Sequence, residues 1–110
     1  MRKEQLDNWI ENGGKLPENL TENEKRYLMD LGYDYVPVEN HEGELVEEYH
    51  YLNGKKHGRY SSWYQDGRLW IEEYWFKGKE HGLCVEYDLC DNIIRKQKYA
   101  YGVFLKDFLK

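Results

Sequence analysis

Apolar and polar positions change their rhythm near residue 35. Before it, Leu6, Trp9 and Ile10 recur at i, i+3 and i+4, an apolar stripe on a short helix. Gly13-Gly14 supplies a stop, and Leu16-Pro17 an extended connector. Thr21 with Glu24 has the spacing of a capping box. A second helix then runs to about Leu31, with Leu28 and Leu31 on one face and Gly32 at its end. Both helices are too short to stand alone and need a surface to pack on.

Beyond Tyr33, runs rich in Tyr, Trp, Val and Ile are punctuated by turn pairs. These are Glu42-Gly43, Asn53-Gly54, Asp66-Gly67, Lys77-Gly78, Asp91-Asn92 and Tyr101-Gly102. Such pairs favour tight hairpins, because both central residues tolerate positive φ. The pattern predicts strands near 44–52, 58–65, 68–76, 82–89, 92–100 and 103–108, joined as an antiparallel meander. The fold class expected is α+β, mainly β. A two-helix cap over residues 1–35 packs on hairpin repeats over residues 36–110, in one compact domain.

The hairpins repeat. A shift of 24 positions superposes Gly54, Gly78 and Gly102, and also Tyr51, Trp75 and Tyr99. Gly54-Lys55-Lys56-His57-Gly58 matches Gly78-Lys79-Glu80-His81-Gly82, and Trp63 matches Tyr87. In the third copy Lys106 replaces the second glycine, the kind of atypical unit that closes an array. Glu48-Tyr49 and Glu73-Tyr74 stand 25 apart, which suggests one extra residue in a strand pair, a β-bulge.

The segment Tyr51-Leu52-Asn53-Gly54-Lys55-Lys56-His57-Gly58-Arg59-Tyr60-Ser61-Ser62-Trp63-Tyr64-Gln65-Asp66-Gly67 resembles the MORN repeat. It is most similar to the bacterial and viral variant found in antitoxin-like repeat proteins. Trp75-Phe76-Lys77-Gly78-Lys79-Glu80-His81-Gly82 fits equally, after which Cys90-Asp91-Asn92 replaces the second glycine turn. The resemblance covers about residues 40–105. It implies a rolled antiparallel sheet used for protein contacts, with lipid contacts in some members. A hairpin motif identifies no site.

Charge narrows the partners. The formal net charge is −5, distributed as −3 over residues 1–38, −4 over 39–74 and +2 over 75–110. With no concentrated basic stripe, neither nucleic acid nor a membrane is expected as a partner. A MORN-type lipid-associated protein remains the alternative, through Lys77, Lys79, Arg95, Lys96 and Lys98. The two cysteines, Cys84 and Cys90, are too few for a disulfide framework, and no apolar run follows the amino terminus. A cytoplasmic protein with free thiols is expected.

Candidate chemistry is thin. His57 and His81, with Cys84 and Cys90, do not have zinc spacing, and the histidines recur because their turn recurs. Ser61 or Ser62 with His50 or His57 and Asp66 could be drawn as a triad, but no nucleophile elbow frames the serines. Glu47-Glu48 and Glu72-Glu73 are adjacent strand residues, so each pair divides between faces. No metal, cofactor or catalytic residue is expected, and a small enzyme using these Glu or His residues is the weaker alternative.

Aromatics make up 16% of the chain, more than one core ladder requires. The ladder is Tyr51, Trp75 and Tyr99. Tyr60, Tyr64, Trp70, Tyr74 and Phe76 are read as a second aromatic face with an acidic rim of Glu48 and Glu72. That face is the expected binding surface, for a protein partner or for self-association.

Overall fold

The computed structural model describes residues 1–110, in a slab of 41 × 38 × 22 Å. Helices α1 (Lys3–Asn12) and α2 (Glu22–Asp30) precede nine strands. The strands are β1 (Tyr33–Glu39), β2 (Leu45–Leu52), β3 (Lys55–Lys56), β4 (Gly58–Trp63), β5 (Leu69–Phe76), β6 (Lys79–Glu80), β7 (Gly82–Tyr87), β8 (Ile93–Ala100) and β9 (Val103–Asp107). Every pairing is antiparallel, in the order β1-β2-β4-β5-β7-β8-β9, with β3 on β2 and β6 on β5. The sheet is an open meander, with β1 and β9 as its edges.

β1 is absent from the predicted strand ranges, although Glu42-Gly43 marks the turn that joins it to β2. It pairs with β2 from Tyr33↔Leu52 to Glu39↔Leu45. Pro37 lies within it, and an edge strand is where a residue without an N–H is tolerated.

The 24-residue period is strict. β2, β5 and β8 begin at Leu45, Leu69 and Ile93, and β4 and β7 begin at Gly58 and Gly82. The 25-residue spacing of the Glu-Tyr pairs therefore marks no change of period, but the expected one-residue bulge in a strand pair is present. Register slips by one where Glu39, Trp63 and Tyr87 meet the following or preceding strand, leaving Val46, Trp70 and Ile94 without partners. Those three residues are themselves 24 apart.

The turns recur equally well. Asn53-Gly54, Lys77-Gly78 and Tyr101-Gly102 all have positive φ at both positions, as a type I′ hairpin requires. Asp91, with φ +63°, takes the place held by Gly43 and Gly67 in the opposite turns. An aspartate enters the left-handed region more readily than most residues. The third copy therefore loses a glycine without losing the geometry.

Its next departure does change the backbone. Gly58 (φ +90°) and Gly82 (φ +109°) let the chain slip two residues between β3 and β4, and between β6 and β7. Lys106 replaces that glycine. There β9 stays one strand, with a single slip between the Tyr99↔Phe104 and Lys98↔Lys106 pairs.

Only 12 of 110 residues are buried, so no second sheet layer supplies a core. The buried apolar cluster is Leu6, Trp9, Leu28 and Leu52, flanked by Ile10, Leu16, Leu20, Tyr27 and Tyr33. It seats both helices on the first hairpin. Each of these large side chains contributes roughly 1.5–3 kcal/mol by leaving water. Leu31, expected on the apolar face of α2, caps the helix and is exposed.

The helix starts are tied to each other. Thr21 Oγ1 accepts from the Glu24 N–H (3.2 Å), and Glu24 Oε1 accepts from the Thr21 N–H (3.0 Å). The same carboxylate accepts from the Arg2 N–H and from the Arg2 guanidinium at 2.8–2.9 Å. Glu24 is buried, and these bonds hold its carboxyl well below the usual range, with Arg2 the largest cause.

His57 joins the cap to the repeats. Its Nε2 donates to the Trp9 carbonyl (2.7 Å), and its Nδ1 accepts the Lys77 N–H (3.1 Å). His81 Nδ1 accepts the Tyr101 N–H in the same way (3.1 Å). Beside them, Gly78 N–H donates to the Lys56 carbonyl and Gly102 N–H to the Glu80 carbonyl. Each unit thus holds the turn of the next.

Gly58 tests this junction. A Cβ there would lie 2.5 Å from Trp9 Nε1 in a backbone conformation that disfavours L side chains. At Gly82 a Cβ would meet Tyr74 no closer than 3.4 Å. Gly58→Ala is expected to cost about 3 kcal/mol or more, through strain and overpacking. Gly82→Ala should cost about 1–2 kcal/mol, through strain alone. Urea denaturation of both variants checks the order, and equal losses would contradict it.

Candidate functional site

Cross-strand pairing assigns every side chain to a face. Apart from the slipped pairs Glu39↔Leu45, Trp63↔Leu69 and Tyr87↔Ile93, an odd-numbered residue meets an even-numbered one from β1 to β8, so parity flips at every hairpin. One face carries Tyr33, Tyr35, His50, Glu48, Arg59, Tyr74, Glu72, Leu83, Lys96 and Lys98. The helices pack on this face, at the Tyr33–Leu52 end. The other face carries Tyr49, Tyr51, Tyr60, Trp75, Tyr99, Lys56, Glu47, Glu73, Glu80, Glu86 and Arg95. No helix covers it.

The expected second aromatic face does not exist as one surface. Tyr60 lies on the open face with the Tyr51–Trp75–Tyr99 ladder. Tyr74 and Phe76 lie on the helix side, where Phe76 packs between His57 and His81. Trp70 is the bulged residue. It stacks on Tyr64 at 5.1 Å and donates its indole N–H to Glu86 (3.1 Å). All five have even numbers; the parity flip between β4 and β5 separates Tyr60 from Tyr74 and Phe76, and the bulge redirects Trp70.

The acidic pairs divide as strand alternation requires, with Glu48 and Glu72 on the helix side. Glu48 forms no rim. It is buried and accepts from Tyr35 Oη (2.7 Å) and from the Arg59 guanidinium (3.2 Å). Glu72 accepts from Tyr74 Oη (3.0 Å). The five basic residues considered for lipid contact also separate. Arg95 lies on the open face, ion-paired to Glu86 (3.1 Å), while Lys96 and Lys98 lie on the other.

Residues drawn as chemistry are engaged elsewhere. Ser61 and Ser62 face opposite sides of the sheet, and both His57 nitrogens are bonded. Asp66 holds its own turn through the Arg68 N–H (3.0 Å). No three His, Cys, Asp or Glu side chains converge as metal ligands. Cys84 is buried and Cys90 exposed, both as free thiols, and burial pushes Cys84 up to about 11. No helix is long and apolar enough to cross a membrane.

The open face is the better-formed surface. Tyr49 and Tyr60 lie 4.7 Å apart and both donate to Glu47 Oε2, at 2.9 and 2.7 Å. The Lys56 ammonium stands 4.6 Å from the Trp75 ring, 5.3 Å from Tyr49 and 5.9 Å from Tyr60. Trp75 Nε1 donates to Glu73 (3.2 Å), and Arg95 reaches Glu73 at 4.0 Å. Tyr49, Lys56, Glu73, Glu80 and Arg95 belong to this surface although sequence reasoning did not select them for it. The signal available was adjacency to the 24-residue aromatic column, once register is known.

The helix-side face carries an open cleft of about 970 Å³ between the α1–α2 connector and β1, β2 and β4. Leu16, Lys25, Tyr33, Tyr35, His50 and Arg59 are among its lining residues. Tyr33 Oη and His50 Nδ1 share a hydrogen bond (2.8 Å), and burial raises the pKa of the phenol. Burial also lowers His50 to about 4, with the Arg59 charge helping and the Glu48 charge opposing.

An unfolded histidine titrates near 6.5. The unfolded chain therefore binds the proton that folded His50 refuses, and stability is lost as pH falls from about 6.5 towards 4. His57, lowered mainly by burial, acts in the same direction. Between pH 7 and pH 5 His50 is expected to remove about 2 kcal/mol. His50→Gln retains an acceptor without titrating. Urea midpoints at both pH values should differ clearly less for this variant than for the unmodified protein.

No protein-family model matches the chain, and neither a curated protein nor a solved structure is detectably similar to it.

Proposed function

We propose that this chain is a non-enzymatic protein-binding module that engages its partner through the open sheet face. The observation that carries the reading is the uncovered aromatic lattice of Tyr49, Tyr60 and Trp75 around Lys56. Tyr and Trp anchor binding surfaces because they bury much area at low entropic cost. Their hydroxyl and indole groups are held by Glu47 and Glu73, so the surface is ordered before a partner arrives.

The hairpin unit fits a MORN-like repeat, and an inhibitory or antitoxin-like role in the cytoplasm belongs to this same reading. The supports are the strict 24-residue unit and a positive-φ turn in every copy. A lipid-surface role would draw on Lys96 and Lys98, which share the helix-side face, and has less to stand on.

Trp75→Ala and Tyr60→Ala are each expected to lower partner recovery at least about fivefold in affinity capture with mass-spectrometric identification. Far-ultraviolet circular dichroism should show the fold intact. Lys98→Ala, on the opposite face, should recover the same partner at the unmodified level. Full recovery by both aromatic variants would remove the open face from the reading.

A further inference from the structure

Charge on the open face goes further than shape and indicates the chemistry of the partner. Along β2–β8 that face carries the carboxylates Glu47, Glu73, Glu80 and Glu86 against the cations Lys56 and Arg95. Arg95 is committed to Glu86 at 3.1 Å and reaches Glu73 only at 4.0 Å. Glu47 has no cation within ion-pair distance and is held by two phenols. Glu80 is half-buried and forms neither an ion pair nor a side-chain hydrogen bond. Burial and the neighbouring Glu73 charge raise its pKa, while the Arg95 and Lys56 charges oppose the shift.

The aromatic groups have matching chemistry. Tyr49, Tyr60 and Trp75 already surround one ammonium, that of Lys56, at 4.6–5.9 Å. Ring faces next to under-neutralised carboxylates favour cations, which gain from both the ring quadrupole and the negative charge.

Resting on the binding-module reading, we propose that the open face recognises a partner protein through arginine or lysine side chains. These side chains seat against the Tyr60 and Trp75 rings and neutralise Glu47, Glu73 and Glu80. A second copy of this chain is a poorer occupant. Its Lys96 and Lys98 lie on the helix-side face, so their contact with the open face would be head-to-tail and not the self-complementary contact of a two-fold dimer.

The test titrates the full chain into a fluorescein-labelled peptide alternating arginine and glycine, read by polarisation at physiological salt. A glutamate–glycine peptide is the control. The arginine peptide should saturate and the glutamate peptide should not bind. Glu47→Gln with Glu80→Gln should weaken binding at least about tenfold. Glu18→Gln with Glu22→Gln makes the same change in net charge on the exposed helical cap and should weaken it less than about twofold.

Equal weakening by both pairs would reduce the effect to net charge and overturn the proposal. Failure of the arginine peptide to bind the unmodified chain would also overturn it. Self-association in sedimentation equilibrium, lost in the Glu47→Gln/Glu80→Gln chain, would assign the face to a second copy instead. If Trp75→Ala loses the captured partner while Glu47→Gln/Glu80→Gln retains it, the binding reading survives and the basic partner does not.

Discussion

The imidazole of His57 is the contact on which the rest of the molecule depends. It donates to the end of α1 at the Trp9 carbonyl and accepts from the backbone of the next turn at Lys77. The two bonds require one neutral tautomer with the proton on Nε2. That requirement fits complete burial, which disfavours the charged ring. The Trp9 indole packs edge-on against the same ring, and Gly58 makes room for both. A single side chain thereby orients the cap, closes the first unit and positions the second. His81 repeats half of this arrangement and lacks only a helix to bond.

Much of this was legible in the residues, in uneven measure. The capping box, the glycine stop after α1 and the turn pairs depend on local chemistry, and the structure contains them. The period was legible because identical turns leave identical letters. β1 was less so: its turn at Glu42-Gly43 is marked, but Pro37 argues against a central strand. The faces were illegible for a further reason. Alternation predicts orientation within a strand, but the register across each hairpin decides which parity faces which way. Tyr60 and Tyr74 share a parity and end on opposite sides. No single-strand pattern contains that information.

Repetition and cross-strand register account for the false leads. His57 and His81 look like ligands because a repeated junction repeats its hydrogen-bond acceptor. Glu48 looks like a rim because adjacent carboxylates read as solvated, yet Tyr35 and Arg59 draw it into the sheet. What remains unspent is on the opposite face, where aromatic rings and carboxylates satisfy one another only in part. The helices, by occupying one side, leave the other as the surface available to a partner.

The departures at the third unit give the array a direction. The second and third turns are each held by the histidine of the unit before, the first turn by the Gly32 carbonyl, and the first histidine by a helix. At the far end Leu105 and Lys106 stand where a histidine and glycine would be, so nothing further can be held in that way. The chain thus has a sealed end and a loose one. Local opening should begin at β9 and travel backwards through the sheet, with α1 and the first hairpin the last to yield.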